Sequence, residues 1–470
     1  MSSITLTNEP IVRVARVRSA MLNREGVAHL LDKFVFASLL VLIVLVTIPY
    51  GTVEPWWISF YECAVFGLAA LWVIEGLITG SWGLTERPLL VPFAALILFV
   101  FLQTVALPGL SGTVISADPF ETRLVALKLL AFAINGTLLM RYTSNTARLW
   151  ALIHATIGIA VVSALFGIVR HTMQQNEVGF GLPYLRRGSG FAQFVNKNHF
   201  AFLMEMTIGL SAGLIISGAV RRQRLLVYIS AAVLMWTALV MTISRGGILS
   251  MLAQISFIFG GWIWLRSSKS DAVSRLRSTI VGVVVTISIV AVVAVSAIWV
   301  GGDVLVTRIE SLPTEVNNKV KQPYAGVRRR EVWGATWNLI KAHPIVGSGF
   351  GAYGIAITQF HQASGQWVPE AAHNDYLELV TSGGAVGVGL IAWVAIVFIR
   401  RARHQISSFD SFRRAACLGA MTGIFGILIH NVVDFGLHVT ANAVVFIALV
   451  VIATREMGEG KINQGSIALL

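Results

Sequence analysis

The residues best suited to chemistry fall in His373-Asn374-Asp375-Tyr376-Leu377-Glu378-Leu379. Asp375 and Glu378 have capping-box spacing, so a helix is expected to start there, leaving His373 just outside it. A histidine in that position can be neutral at neutral pH and take a proton from a hydroxyl; the plainer alternative is a loop histidine bonded to backbone. Ser244-Arg245-Gly246-Gly247 places an arginine at a helix start, where it can meet an anion or snorkel to a membrane interface. Asn196-Lys197-Asn198-His199 offers amide groups suited to sugar hydroxyls or to helix capping. His343-Pro344-Ile345-Val346-Gly347-Ser348-Gly349-Phe350-Gly351 lacks the Gly-Lys-Ser/Thr ending of a phosphate loop. It reads as a glycine-built turn that lets a lipid or sugar approach the backbone, and Gly383, Gly384, Gly387 and Gly389 read as close helix packing in a membrane.

The elements that must carry these groups follow from composition. Of 470 residues, 56% are hydrophobic and only 13% charged, against about 25% charged in an average soluble domain. Mean hydropathy is +0.74. The fold class expected is an all-α polytopic membrane protein with about 12 transmembrane helices, each crossing with roughly 20 apolar residues. The runs are 34–50, 56–80, 88–106, 122–140, 149–170, 199–219, 223–243, 247–265, 278–300, 376–399, 412–432 and 436–454. The expected organisation is a basic cytoplasmic N-terminus (1–33), a membrane domain of nine spans (34–300), a periplasmic or extracellular loop (301–375), three further spans (376–454) and a cytoplasmic tail (455–470). No cleavable leader is expected, because no small-residue cleavage site follows the first span closely. Cys63 and Cys417 both sit inside apolar runs and suggest neither a disulfide framework nor a metal site.

Net charge is +13, and the basic residues explain it without nucleic acid. Arg221, Arg222, Arg224, Arg266, Arg400, Arg401, Arg403, Arg413 and Arg414 mark cytoplasmic loops and put both termini inside. Two outer loops are nonetheless basic: 171–198, with Arg186 and Arg187, and 301–375, with Arg308, Arg328, Arg329 and Arg330. Outer positive charge calls for a partner, and phosphate is the obvious one. Within 331–342, Trp333, Trp337 and Ile340 repeat at helical spacing and predict an amphipathic helix at the outer interface. A second short helix is expected at 352–362.

Ionisable residues inside or beside spans are functional candidates by default. Lys128 lies about 9 Å into span four from its outer end. Asp434 occupies the outer turn between spans eleven and twelve, near His430 and His438. Glu62 and Glu75 in span two are less telling, since either can pair with a basic neighbour. Under one topology Lys128, Arg186, Arg187, Arg245, Arg328, His373 and Asp434 all map to the outer half.

The paired blocks His343-Pro344…Gly347-Ser348-Gly349 and His373-Asn374-Asp375-Tyr376-Leu377-Glu378, followed by Gly383 and Gly387, resemble the signature of the O-antigen ligase and polymerase family. The blocks at Asn196 and Ser244 are similar to earlier blocks of that family, and the likeness runs from about 185 to 440. It implies an inner-membrane, metal-independent glycosyltransferase facing the periplasm. Such an enzyme moves a glycan from undecaprenyl pyrophosphate to an acceptor hydroxyl. The acceptor is a lipid A-core sugar in ligases, another lipid-linked repeat in polymerases and a protein serine in a further branch. The family's essential histidine would be His373, and its essential outer arginines Arg245 and one of Arg328 to Arg330.

That chemistry suits the residues. Departure of a lipid pyrophosphate leaves negative charge on phosphate oxygens, which arginines can stabilise without a metal. Arg245 and Arg328 are the catalytic candidates, with Arg186, Arg187, Lys128 and Arg329 for the pyrophosphate. Asn196, Asn198, Asn374 and Asp434 are candidates for holding sugar or acceptor; Asp434 ranks below His373 because no helix start or arginine-rich loop adjoins it in sequence. No cofactor is expected, the donor bond being already activated, and membrane lipids are the remaining partners. Without paired carboxylates, direct inverting displacement is expected over a double displacement. The rival of another class is a transporter with Lys128 and Glu75 lining a path. Within the family, a cap of about 75 residues beside a basic surface favours the ligase, since lipid A is phosphorylated.

Overall fold

The computed structural model describes residues 9–83, 87–106, 114–173, 190–267, 329–361 and 369–456, together with single positions at 280, 283 and 287. Eight helical stretches are long and apolar enough to cross a bilayer. Three shorter apolar helices, Pro88–Leu102, Arg245–Gly260 and Thr440–Thr454, coincide with the expected third, eighth and twelfth runs. The expected ninth run lies almost wholly outside the described residues.

In chain order the helices are α1 (Glu9–Thr47), α2 (Pro55–Thr79), α3 (Arg87–Leu102), α4 (Pro119–Tyr142), α5 (Thr146–Met173), α6 (Lys197–Ile216), α7 (Arg222–Met241), α8 (Arg245–Ser267), α9 (Arg329–Ala342), α10 (Tyr353–Ala356), α11 (Asp375–Ile406), α12 (Ser411–His430) and α13 (Thr440–Thr454). Two differ from expectation in extent: α1 takes in much of the basic N-terminal segment, and α11 continues past its apolar run through Arg400 to Ile406. Local signals fix the ends. Pro55 and Pro119 stand in first turns, and Asp118, Asn196, Asn374 and Asp410 accept backbone N–H groups that their helices leave unpaired.

α6 is the central helix, buried along nearly its whole length from His199 to Leu214. Glycines bring α12 against it backbone to backbone: a Cβ on Gly209 would lie 2.5 Å from the Gly423 nitrogen, and one on Gly213 would lie 2.2 Å from the Gly419 Cα. Lipid tails give helices no hydrophobic reason to associate, so such small-residue approach supplies the packing. α2 and α7 turn apolar side chains outward instead, Trp56, Leu77, Leu226 and Val227 among them.

α11 is broken. Gly384 has φ 57° and ψ −158°, and the loop after His343 lies in the break. The Ala385 and Val386 N–H groups donate to the Pro344 and Ile345 carbonyls at 2.9 and 3.0 Å, while Ser348 and Gly349 donate to Thr381 and Ser382. Gln103 of the α3 end donates to the Val346 and Ser382 carbonyls, pinning both strands of the contact. A Cβ on Gly347 would fall 2.3 Å from the Ser382 carbonyl carbon. Gly347 and Gly384 therefore admit the chain's own backbone, whereas a Cβ on Gly387 would meet the Phe350 and Phe99 rings at 3.6 Å, the close packing that the sequence suggested.

α9 packs against the segment that leads into α11. Its buried face is Val332, Ala335 and Leu339, packed on Tyr353, Ile357 and Ala372. The expected face of Trp333, Trp337 and Ile340 is corrected accordingly: Ile340 is buried, Trp337 is exposed, and Trp333 is half-buried with its indole N–H on the Ala372 carbonyl at 2.9 Å. The short helix expected at 352–362 is α10 followed by a single 3₁₀ turn, Ile357–Gln359.

Candidate active site

The α11 start, the turn between α12 and α13, and the α6 start meet at one point. Asn374 caps α11 by accepting the N–H groups of Tyr376 and Leu377, both at 3.0 Å. This replaces the expected Asp375/Glu378 box, because the Glu378 carboxylate reaches further back to the Ala372 N–H at 3.1 Å. His373, held between that bond and the cap, takes φ 51°, a left-handed conformation that non-glycine residues rarely adopt.

That conformation turns the imidazole toward Asp434. His373 Nδ1 lies 3.6 Å from Asp434 Oδ1. The other carboxylate oxygen accepts a short bond from the Asn198 side-chain amide, and Oδ1 also accepts the Phe435 N–H at 3.0 Å. Asp434 is 1% exposed. Burial alone would push its carboxyl up, but the contacts from His373 and Asn198, the neighbouring His199 and the Phe435 N–H bring it down to about 2. It is an anion at any physiological pH. The Phe435 ring is the hub of the cluster, with His373 and His199 at centroid distances of 5.0 and 5.1 Å and His438 at 5.8 Å.

His438 faces two carboxylates, Asp375 at 3.4 Å and Glu378 at 3.5 Å. Its carbonyl accepts the Lys128 ammonium at 2.8 Å, which brings α4 to the same place. Arg245 is the first residue of α8; Ser244 caps that helix by accepting the Gly247 N–H at 3.2 Å. The guanidinium is exposed and has no ion-pair partner among the described residues. Directly beneath, a Cβ on Gly246 would come within 2.3 Å of the His430 ring. His430 is stacked on Phe202 and bonded to Glu205 at 2.7 Å, both partners of that bond being buried.

The structure thus brings together His373, Asp434, Asn198 and Lys128, with Arg245 placed on the adjoining helix start. Asn196 and Asn374 sit at the same point, but each spends its side-chain oxygen on a cap. Arg328, Arg186 and Arg187 lie outside the described residues, and Arg329 is placed only as the first residue of α9. Sequence reasoning passed over His199 and ranked Asp434 low; the grouping of His430, Asp434 and His438 in one turn was the available signal. Glu75 is elsewhere. It binds Arg141 at 3.3 Å, 13 residues or about 20 Å along α4 from Lys128, so the two do not line a common path. An apolar groove lined by Phe93, Phe132, Gly136 and Val450 also reaches Arg141, at the end of α4 away from His373.

The O-antigen ligase family model matches residues 230–392. Over about a third of its length the chain is similar to the O-antigen ligase family. The matched stretch holds Arg245, the loop after His343, His373 and the break in α11, whereas Asp434, Asn198 and Lys128 lie outside it. The match supports a membrane glycosyltransferase of the O-antigen ligase and polymerase type, working on lipid-linked polysaccharide. No curated protein matches the chain.

Proposed function

We infer that this protein joins a glycan carried on undecaprenyl pyrophosphate to a sugar hydroxyl of lipid A-core, at the periplasmic face of the bacterial inner membrane and with both termini in the cytoplasm. The observation that carries the reading is the His373–Asp434 pair, held at a helix start on the face where Arg245 opens α8. With Nδ1 toward the carboxylate, Nε2 is the nitrogen left to accept a proton. The acceptor oxygen attacks the anomeric carbon as its proton passes to Nε2, and the bond from that carbon to the phosphate oxygen breaks on the opposite side. The configuration inverts, and the lipid pyrophosphate departs with the electron pair. Asp434 stabilises the imidazolium that forms, and Arg245 stabilises the departing phosphate.

The test is reconstitution of the purified chain with undecaprenyl-pyrophosphate glycan and lipid A-core, without nucleotide or added metal, beside His373→Ala. Glycan on lipid A-core with the wild type alone is the expected result. Growth of the lipid-linked chain instead would make the enzyme a polymerase. Passage of the lipid-linked glycan across the membrane with neither product would make it a transporter.

A further inference from the structure

A polar cavity of about 310 Å³ opens on the other side of the α6 start from Asp434. Its walls are the last turns of α5, the short hairpin Gly190–Ala192, Lys197, and the turn Met241–Ile243 between α7 and α8. Three of the ten residues that line it are basic, namely Arg170, His171 and Lys197, and none of them is acidic. Arg170 is 5% exposed in the last turns of α5, and a buried ionisable group in a membrane helix is a functional candidate by default. Its guanidinium is fixed in the wall by a 2.6 Å bond to the Ala192 carbonyl. The hairpin is held in turn by mutual backbone bonds between Phe191 and Phe194.

The residues that line the cavity adjoin those of the transfer site in sequence. Lys197 is followed by Asn198, whose amide holds Asp434, and Ile243 is two residues before Arg245. The geometry points to a phosphate-binding site for a phosphorylated membrane lipid, formed by Arg170, His171 and Lys197 in this cavity. Its place in the reaction rests on the glycosyltransferase reading above. Two lipids in that reading carry phosphate: the isoprenyl pyrophosphate donor and the phosphorylated glycolipid acceptor. A guanidinium, an ammonium and an imidazole around a cavity of this size suit either, because bonds to phosphate oxygens need donors on several sides.

The experiment measures equilibrium binding to the full chain in phosphatidylcholine nanodiscs with three probes: undecaprenyl pyrophosphate, phosphorylated lipid A and undecaprenol. Lys197→Gln and His171→Gln leave the Arg170–Ala192 bond in place, and Lys197→Arg keeps the charge. The expected result is about tenfold weaker binding of one phosphorylated lipid in each Gln variant, the loss of about one charge-assisted bond, with undecaprenol unchanged and Lys197→Arg near wild type. Which phosphorylated lipid weakens identifies donor or acceptor. Binding of both phosphorylated lipids within twofold of wild type in the Lys197→Gln/His171→Gln double variant would overturn the proposal, and so would an equal loss for undecaprenol. His373→Ala separates the two ideas, since it should abolish transfer and leave this binding intact. Absence of transfer by the wild type, with the Lys197 effect still present, would remove the glycosyltransferase reading and keep the phosphate site.

Discussion

Replacing Asp434 by asparagine removes one charge and almost no volume. In the folded protein the carboxyl stands at about 2, against an ordinary 3.8, a difference equivalent to ~2 kcal/mol in favour of the anion. Because the native value is depressed, this stabilisation is present above pH ~4 and is lost as pH falls toward 2. The anion lies 3.6 Å from His373 Nδ1. At an effective dielectric constant of about 20, Coulomb's law gives ~4–5 kcal/mol for an imidazolium at that distance, and in bulk water about 1. The histidine side chain is 41% exposed, so the figure is discounted toward the water limit, to ~1–4 kcal/mol. Asp434→Asn is therefore expected to slow glycan transfer by about 5- to 10³-fold. Donor binding should stay within threefold, because the lost interaction belongs to the charged histidine of the transition state. The assay is single-turnover transfer from preloaded donor, followed by gel mobility of the acceptor, with thermal unfolding as the control for fold. A transfer rate within threefold of wild type in a folded Asp434→Asn protein would refute the assignment of Asp434 as the partner of His373.

Arg245→Gln should reduce transfer at least tenfold while the unfolding temperature barely moves, because the guanidinium is exposed and surface changes are usually within ~0.5 kcal/mol; a drop in unfolding temperature that accounts for the lost activity would make the residue structural. Gly384→Ala should cost about 3 kcal/mol or more and lower the yield of folded protein, since its Cβ would sit 2.5 Å from the Ile345 carbonyl carbon at φ +57°. Size-exclusion profiles and thermal unfolding read this directly, and wild-type behaviour would count against the broken-helix account of α11. Glu205→Leu alone should destabilise by ~3–5 kcal/mol by leaving His430 buried without its partner. The double variant with His430→Phe should recover much of that loss, and simple additivity in a double-mutant cycle would show that the pair is not coupled. Trp333→Phe removes one buried-edge hydrogen bond to Ala372 and should cost about 1 kcal/mol, with a larger effect on transfer than on unfolding if α9 positions His373.

Much of the architecture was legible because a bilayer leaves few alternatives. Long apolar runs must be helices, since unpaired backbone groups have no partner in lipid, and the runs at 56–80, 122–140, 149–170 and 412–432 each fall on an observed helix. The helix starts after His373 and at Arg245 were legible from local spacing. Asp434 was undervalued because sequence adjacency is a poor guide to contact: it is 61 positions from His373 and 236 from Asn198, yet touches both. The glycine blocks were misread for a related reason. Gly347 and Gly384 look like turn and packing glycines one at a time, and only together do they show a loop entering a broken helix.

The sequence by itself determined the helical membrane class, the places of most helices and the kinds of polar group near their ends, because apolar periodicity and charge are local properties read over one or two turns. Tertiary structure alone decided which groups work together. It set the carboxylate of one interhelical turn against the histidine of another, sealed the glycine loop into α11, and turned Arg170, His171 and Lys197 toward one cavity. Those outcomes depend on how closely α6, α8 and α12 approach, and that distance is set by glycines whose partners lie two hundred residues away.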